Sequence, residues 1–293
     1  MKDFELEANL VDGPEIEITN HCNLKCLTCE RLKRDRFGFM SLKDFRKTID
    51  LVKDWKSREI IFSGHGDIFL HKDIFRMFAY ALKSLPGVNL AIPTKGQSID
   101  PAALKKIKKF QEAGHNITPS FSIFSLSEEK DELLTGGNLK HLLYLLETAR
   151  KLGVYFTVEF LLMAQNIDEY SDFLNFAAAY GLKNYGFGLV NNWSGAMEDG
   201  KFKKFYSQEL DRFIRPRPRG DKCDVFKVPG CVFIDYEGNI KLCSLQIGEP
   251  TLLGHIAKDS LADIVKRKKS LDREEACGRC PMHKHIIYWT VDN

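Results

Sequence analysis

From residue 15 to about residue 190 the chain alternates short β-type runs with amphipathic helical runs. No other feature restricts its fold as tightly. The run 15–19, Glu-Ile-Glu-Ile-Thr, reads as a strand, and Ser41 then caps a helix carried by Leu42, Phe45, Ile49 and Val52. A second strand at 59–62 precedes a helix through Ile74, Phe75, Phe78 and Leu82, and a third at 88–92 precedes a helix opened by Asp100 and Pro101. Residues 118–124 read as the fourth strand and 139–152 as a helix closed by Gly153. Residues 154–163 read as a continuous buried strand, 170–180 as a helix ended by Gly181, and 185–190 as the sixth strand. Six β/α steps require a parallel sheet with crossover helices. They can make an incomplete barrel or an open doubly wound sheet, and the pattern alone leaves both open. Neither Gly-x-Gly-x-x-Gly nor Gly-x4-Gly-Lys-Ser/Thr stands at a strand end, which argues against those nucleotide-phosphate sites.

Residues 191–222 are turn-rich and weakly periodic, and they read as a linker between a barrel at 14–190 and a C-terminal region at 223–293. Residues 1–13 are a lead-in. Within the C-terminal region, 231–243 reads as a β-hairpin turning at Gly238, and 260–268 as a short helix. So small a region has a poor core of its own, and a bound metal centre would stabilise it. The length, 293 residues, suits one large domain or one plus an appendage. With 44% hydrophobic and 28% charged residues the chain is neither disordered nor fibrous. A net charge of +3 gives no field directed at nucleic acid or anionic lipid. The N-terminus has no signal-peptide pattern. No apolar run reaches the roughly 18 residues of a membrane span, and the best, 154–164, is interrupted by Glu159. The expected compartment is the cytoplasm, where disulfides do not persist.

Eight cysteines in such a compartment read first as metal ligands. They fall in two islands, three at positions 22 to 29 and five at positions 223 to 280. Cys22, Cys26 and Cys29 follow the first strand, at the end of a β/α unit where chemistry is carried. Three thiolates can hold one metal or three corners of a cubane cluster, leaving a position open. The adjacent His21 could close a zinc site as a fourth ligand.

The run Cys22-Asn-Leu-Lys-Cys26-Leu-Thr-Cys29, following a strand and opening a six-fold β/α region, resembles the radical S-adenosylmethionine (SAM) enzymes. The resemblance covers about residues 14–285. It implies a partial (β/α)6 TIM-like barrel with a [4Fe-4S] cluster on Cys22, Cys26 and Cys29. The fourth iron of that cluster would chelate SAM, whose reductive cleavage yields a 5′-deoxyadenosyl radical that abstracts a substrate hydrogen atom. Ser63-Gly64-His65-Gly66-Asp67 stands where the family has a Gly-Gly-Glu-Pro-like stretch whose backbone meets the methionine amino group, with Asp67 in place of glutamate. Ser122 or Ser125 stands where the family often has a ribose-binding serine. Thr28 occupies a position that is often aromatic, so adenine contacts are unassigned. A flavodoxin- or ferredoxin-type electron donor is implied as partner.

The later spacing, Gly238 before Cys243, then Leu253-Gly-His-Ile256 and Cys277-x2-Cys280, resembles the twitch domain, the shortened form of the SPASM extension. This implies a second, auxiliary [4Fe-4S] cluster. Five cysteines compete for four places, and the family's usual gap selects Cys223, Cys243, Cys277 and Cys280. Cys231 is then left as a buried cysteine or a hydrogen-atom donor near substrate. His283 and His285 read as surface residues, and one zinc on the same four thiolates is the competing reading. The expected activity is hydrogen abstraction followed by electron loss to the auxiliary cluster, with a small-molecule dehydrogenation favoured. The alternatives are an epimerase using Cys231, a peptide-modifying maturase, and a zinc-stabilised binding protein without catalysis. Only 21 residues precede Cys22. The peptide-recognition domain of some members is therefore expected to be absent, and a peptide substrate would need a separate recognition protein. Arg215, Arg217, Arg219 and Lys95 are candidate contacts for an anionic group.

Overall fold

The structure is a computed structural model and describes residues 13–55, 57–191, 196–216, 223–228, 230–247, 250–278, 280, 285–286 and 288–292. Six strands alternate with helices in its first part. In chain order these are β1 (Glu15–Ile16), α1 (Leu42–Val52), β2 (Glu59–Ile61), α2 (Ile74–Ser84), β3 (Asn89–Thr94), α3 (Pro101–Glu112), β4 (Ile117–Ile123), α4 (Glu128–Thr135), α5 (Leu139–Leu152), β5 (Thr157–Leu162), α6 (Tyr170–Tyr180) and β6 (Asn184–Leu189). Then come α7 (Asp199–Phe202), β7 (Arg215–Pro216), α8 (Asp224–Lys227), β8 (Phe233–Ile234), β9 (Asn239–Lys241), β10 (Leu252–His255), α9 (Leu261–Lys269), α10 (Arg273–Cys277), β11 (His285–Ile286) and β12 (Tyr288–Asp292).

The sheet order is β10-β9-β8-β1-β2-β3-β4-β5-β6-β12, with β1 to β6 parallel in sequence order. The end strands β10 and β12 do not pair, so the barrel is open, as the partial-barrel expectation requires. The C-terminal region adds to both edges of this sheet. Strand β8 lies parallel to β1, with Glu15 opposite Phe233, and β12 runs antiparallel to β6. Among the described residues no helix is long and apolar enough to cross a membrane.

Strand alternation sorts the side chains onto two faces. One face packs on the helices, where Phe62, Phe78, Phe121, Phe160, Phe173 and Phe187 are fully buried. Each such ring contributes roughly 1.5–3 kcal/mol by leaving water. The other face turns into the barrel. It carries half-buried Ala91, Ser120, Ser122, Glu159 and Leu161, and in the same register Gly186 and Gly188.

Several boundaries differ from expectation for local reasons. The strand expected at 154–163 starts at Thr157, because Val154 N–H bonds to Ala149 O at the end of α5 and Tyr155 N–H to Gln111 Oε1. The ladder expected at 15–19 stops at Ile16. Beyond it Ile18 O accepts from Met40 N–H and Thr19 bridges Phe39. Helix α4 was not expected at all, although Ser127 caps it and Glu128, Glu129 and Asp131 occupy its first turn. Part of the segment expected as a linker packs on the barrel. Its Met197 and Phe205 are buried against Phe124, Leu134 and Met163. The hairpin is as expected, with Gly238 at φ +87° and the Asp235 carboxylate accepting from Glu237 and Asn239 N–H.

Candidate active site

The cysteine loop leaves the C-terminal end of β1 and is held on several sides. Asn20 clamps it, its amide donating to Arg36 O and accepting from Gly38 N–H. Arg31 reaches back to Leu24 O at 3.1 Å. The C-terminal end of α4 supplies the main dock. Its last-turn carbonyls have no helical partner, and those of Thr135 and Leu134 accept from Lys25 and Leu27 N–H at 3.2 and 2.8 Å. The Cys26 Sγ lies 3.9 Å from Thr135 O. Helix α4 is pinned in turn by a buried pair, with Lys95 Nζ 2.6 Å from Asp131 Oδ1. Lys95 does meet an anion, but one the protein supplies. Of the other candidate anion contacts, Arg217 and Arg219 and the Arg215 side chain lie outside what is described.

Three thiols in this loop lie within electrostatic reach of one another. Burial pushes the Cys26 thiol up to about 12, and the charges of Cys29 and Cys22 push the same way while Lys95 opposes. Cys22 and Cys29 are also raised, burial leading in both. Three neighbouring thiols that resist ionisation by themselves fit a cluster whose iron charge stabilises the thiolates. His21 does not join them, since its ring stacks on Phe39 with centroids 4.6 Å apart. Among the described residues no three His, Cys, Asp or Glu side chains converge as a single ion requires. From the far side, Glu30 binds Lys33 at 3.0 Å and also Lys201, which ties the 196–216 segment to the loop.

The 63–67 loop packs directly on this one. A Cβ on Gly66 would sit 2.3 Å from Thr19 O and 2.6 Å from His21 O, and one on Gly64, at φ +110°, 2.7 Å from the Glu17 side chain. Both glycines are therefore demanded by the approach of two protein loops. Asp67 N–H bonds to His21 O, and its carboxylate, pushed up by burial, caps the turn at Phe69. Glu17 is fully buried and accepts twice from Arg34 Nη1, at 2.7 and 2.9 Å. His65 Nδ1 lies 2.9 Å from Glu17 Oε1, and its Nε2 lies 2.9 Å from Ser244 O, beside Cys243. Burial pushes Glu17 up, but His65 and Arg34 hold it below the usual carboxylate range. Of the two serines, Ser122 faces the barrel interior, whereas fully buried Ser125 gives its hydroxyl to Glu169 at 2.8 and 2.9 Å. Thr28 is buried.

A second group of thiols forms around Cys243, just past β9. Burial pushes Cys277 up to about 12 with Cys280 and Cys223 adding to it, and Cys243 is raised by burial and then by Cys280, Glu15 and Cys223. Cys223, Cys243, Cys277 and Cys280 thus share one neighbourhood. Cys231 is buried beside it, its carbonyl accepting from Lys268 Nζ at 2.7 Å. Burial lowers Lys268 to about 8, opposed by Cys231, Cys223 and Cys243. His283 lies outside the described residues, as does the His285 side chain.

An open parallel β/α barrel with a three-thiol loop at the mouth of its first strand defines the scaffold of an iron–sulfur enzyme. Residues 16–177 match the model of the radical SAM superfamily, and the chain belongs to that superfamily, which implies a [4Fe-4S] cluster and SAM. It is 23% identical over 266 residues to the antilisterial bacteriocin subtilosin biosynthesis protein AlbA of Bacillus subtilis, covering 85% of this chain and 58% of that one. It is 34% identical over 94 residues to the Fe-coproporphyrin III synthase of Methanosarcina barkeri, covering 31% and 23%. The chain thus spans less than two thirds of either curated relative. Among solved structures, BtrN in complex with AdoMet and 2-DOIA superposes with TM-score 0.61 at 14% identity, over 92% of this chain and 93% of that one. Streptococcus suis SuiB bound to precursor peptide SuiA superposes with TM-score 0.68 at 16% identity, over 92% and 70%.

Proposed function

We propose that this enzyme oxidises a substrate C–H position by two electrons, using SAM at the first thiol group and an auxiliary cluster at the second. The observation that supports the reading is two separate groups of mutually interacting thiols, one in the loop after β1 and one around Cys243. Cys22, Cys26 and Cys29 would hold the first [4Fe-4S] cluster, and Cys223, Cys243, Cys277 and Cys280 the second. When bound, SAM and its cluster supply a 5′-deoxyadenosyl radical that takes a substrate hydrogen atom, and the auxiliary cluster supplies an electron acceptor. The chain's own residues do the rest. Helix α4 and Asn20 hold the cysteine loop, the 63–67 loop presents its backbone beside it, and Lys201 ties the 196–216 segment to it through Glu30. Ser122, on the inward face of β4, would meet the SAM ribose. Lys268 sets a positive charge beside the second thiol group, which favours a more reduced cluster there.

A small molecule is the first substrate reading, supported by the fit to BtrN, a chain of closely similar extent whose structure holds 2-DOIA. Modification of a peptide is the second reading, supported by the likeness to AlbA and to the peptide-bound SuiB. Anaerobic reconstitution should give about eight irons per chain, and with SAM and reductant it should give 5′-deoxyadenosine. Cys26→Ala should abolish that product. Cys277→Ala should lose about half the iron and retain SAM cleavage. Bound zinc without iron would overturn the proposal. Cys231→Ala turnover in deuterated water, once a substrate is in hand, separates oxidation from epimerisation.

A further inference from the structure

Strand β5 places Val158, Phe160 and Leu162 against the helices, where all three are buried. Glu159 therefore projects from the opposite face, into the barrel. In register beside it stand Ser122 of β4 and Gly186 of β6, and the next inward position of β6 is Gly188. None of these carries charge, and neither glycine adds a side chain of its own beside the carboxyl. The barrel's other inward or buried carboxylates are matched. Glu17 has Arg34 and His65, Glu15 has Ser63, Glu59 has Asn89, and Asp131 has Lys95. Glu159 has no such partner among the described residues, and burial alone pushes it up, to about 7. Yet the residue is only half-buried by accessibility. Its side chain thus lies on the inward face of the strand without being sealed in packed core.

An unpartnered carboxylate in such a position costs stability, and groups of this kind cluster at functional sites. We infer that Glu159 anchors a substrate subsite inside the barrel and that the subsite takes a protonated amine. A neutral donor would leave the carboxylate charge uncompensated in a desolvated site. An ammonium forms a charge-assisted hydrogen bond and cancels the charge. The anchor lies in the same cross-strand row as Ser122, below the strand ends that carry the cysteine loop. This inference rests on the radical SAM oxidation proposed above and narrows its substrate to an amine-bearing molecule, whether a small amine or a peptide with a free amino group.

The test uses the reconstituted, SAM-loaded protein and a matched pair of probes, cyclohexylamine and cyclohexanol, compared by anaerobic titration calorimetry at pH 7. Wild type should bind the amine at least about tenfold more tightly than the alcohol, the usual minimum for a hydrogen bond to charge. Glu159→Gln should erase that preference, and Glu159→Asp, which keeps the charge, should retain part of it. Equal binding of the two probes by wild type overturns the inference, which holds even if a variant fails to fold. A preference unchanged in Glu159→Gln overturns it as well. So does a Glu159→Gln protein whose loss is confined to SAM affinity, which would assign the carboxylate to the cofactor. Failure of the wild type to make 5′-deoxyadenosine sinks the underlying oxidation proposal instead, and leaves the amine preference to be read separately.

Discussion

Gly66→Ala probes the contact on which the geometry of the SAM site depends. The backbone at Gly66 is not in the left-handed region, so alanine meets no conformational penalty there and the effect is purely steric. The added Cβ would lie 2.3 Å from Thr19 O, 2.6 Å from His21 O and 2.8 Å from Asn20 Cα, against an ordinary contact of 3.4 Å or more. All three obstacles are backbone and cannot rotate away. The 63–67 loop and the stretch leading into Cys22 must therefore part by about 1 Å, which also breaks the 2.8 Å bond from Asp67 N–H to His21 O. Overpacking of this kind costs about 1–3 kcal/mol, and a 1 Å misplacement of reacting groups costs on the order of a hundredfold in rate. Gly200→Ala is the matched control, since a Cβ in that helical position meets nothing within 4 Å. Initial rates of 5′-deoxyadenosine formation, iron per chain and thermal midpoint are measured for both variants. Gly66→Ala should lose roughly two orders of magnitude in rate while Gly200→Ala stays at wild type. A Gly66→Ala protein with full iron, an unshifted midpoint and a rate within about twofold of wild type would refute the packing argument.

Lys95→Met leaves Asp131 buried and unpaired, with its Oδ2 already lacking a partner. It should cost about 3–5 kcal/mol in urea denaturation, and adding Asp131→Leu should recover most of the loss. Ser127→Ala removes the cap of α4 and should cost about 1 kcal/mol. It should also raise the fraction of chains that lose iron from the cysteine loop. Glu159 holds its proton to about pH 7 in the folded state, above the unfolded value of 4.5. Stability should therefore fall as pH rises from about 4.5 to about 7. Glu159→Gln should be more stable than wild type by up to about 3 kcal/mol above pH 7, and equal to it below pH 4.5. The same offset at both ends of that range would contradict an unpartnered carboxyl.

The parallel β/α order, the caps of α5 and α6 at Gly153 and Gly181, and the three-cysteine loop were legible because each is local. Periodicity and spacing are carried within a few residues. Helix α4 escaped notice because it is short and its buried stripe includes a charged Asp131, so it has no clean apolar face. Strand β12 shows only β-prone residues at 288–292, and its place beside β6 is a pairing across about 100 residues. Ser122 and Ser125 lie three residues apart, but one faces the barrel and the other bonds Glu169, a difference that strand register makes and spacing alone does not show.

What the sequence by itself determined is the chemistry available: two islands of cysteine, a glycine-bearing loop after the second strand, and a scaffold that puts strand ends together. Only the tertiary structure decided how that chemistry is arranged. The Lys95–Asp131 pair, the Glu17–Arg34–His65–Ser244 chain and the inward, unpartnered Glu159 each join or separate residues tens of positions apart. Glu159 read only as an interruption in an apolar run. A strand's two faces are indistinguishable in environment until its neighbours are in register, and only then does this carboxylate turn inward between Ser122 and Gly186.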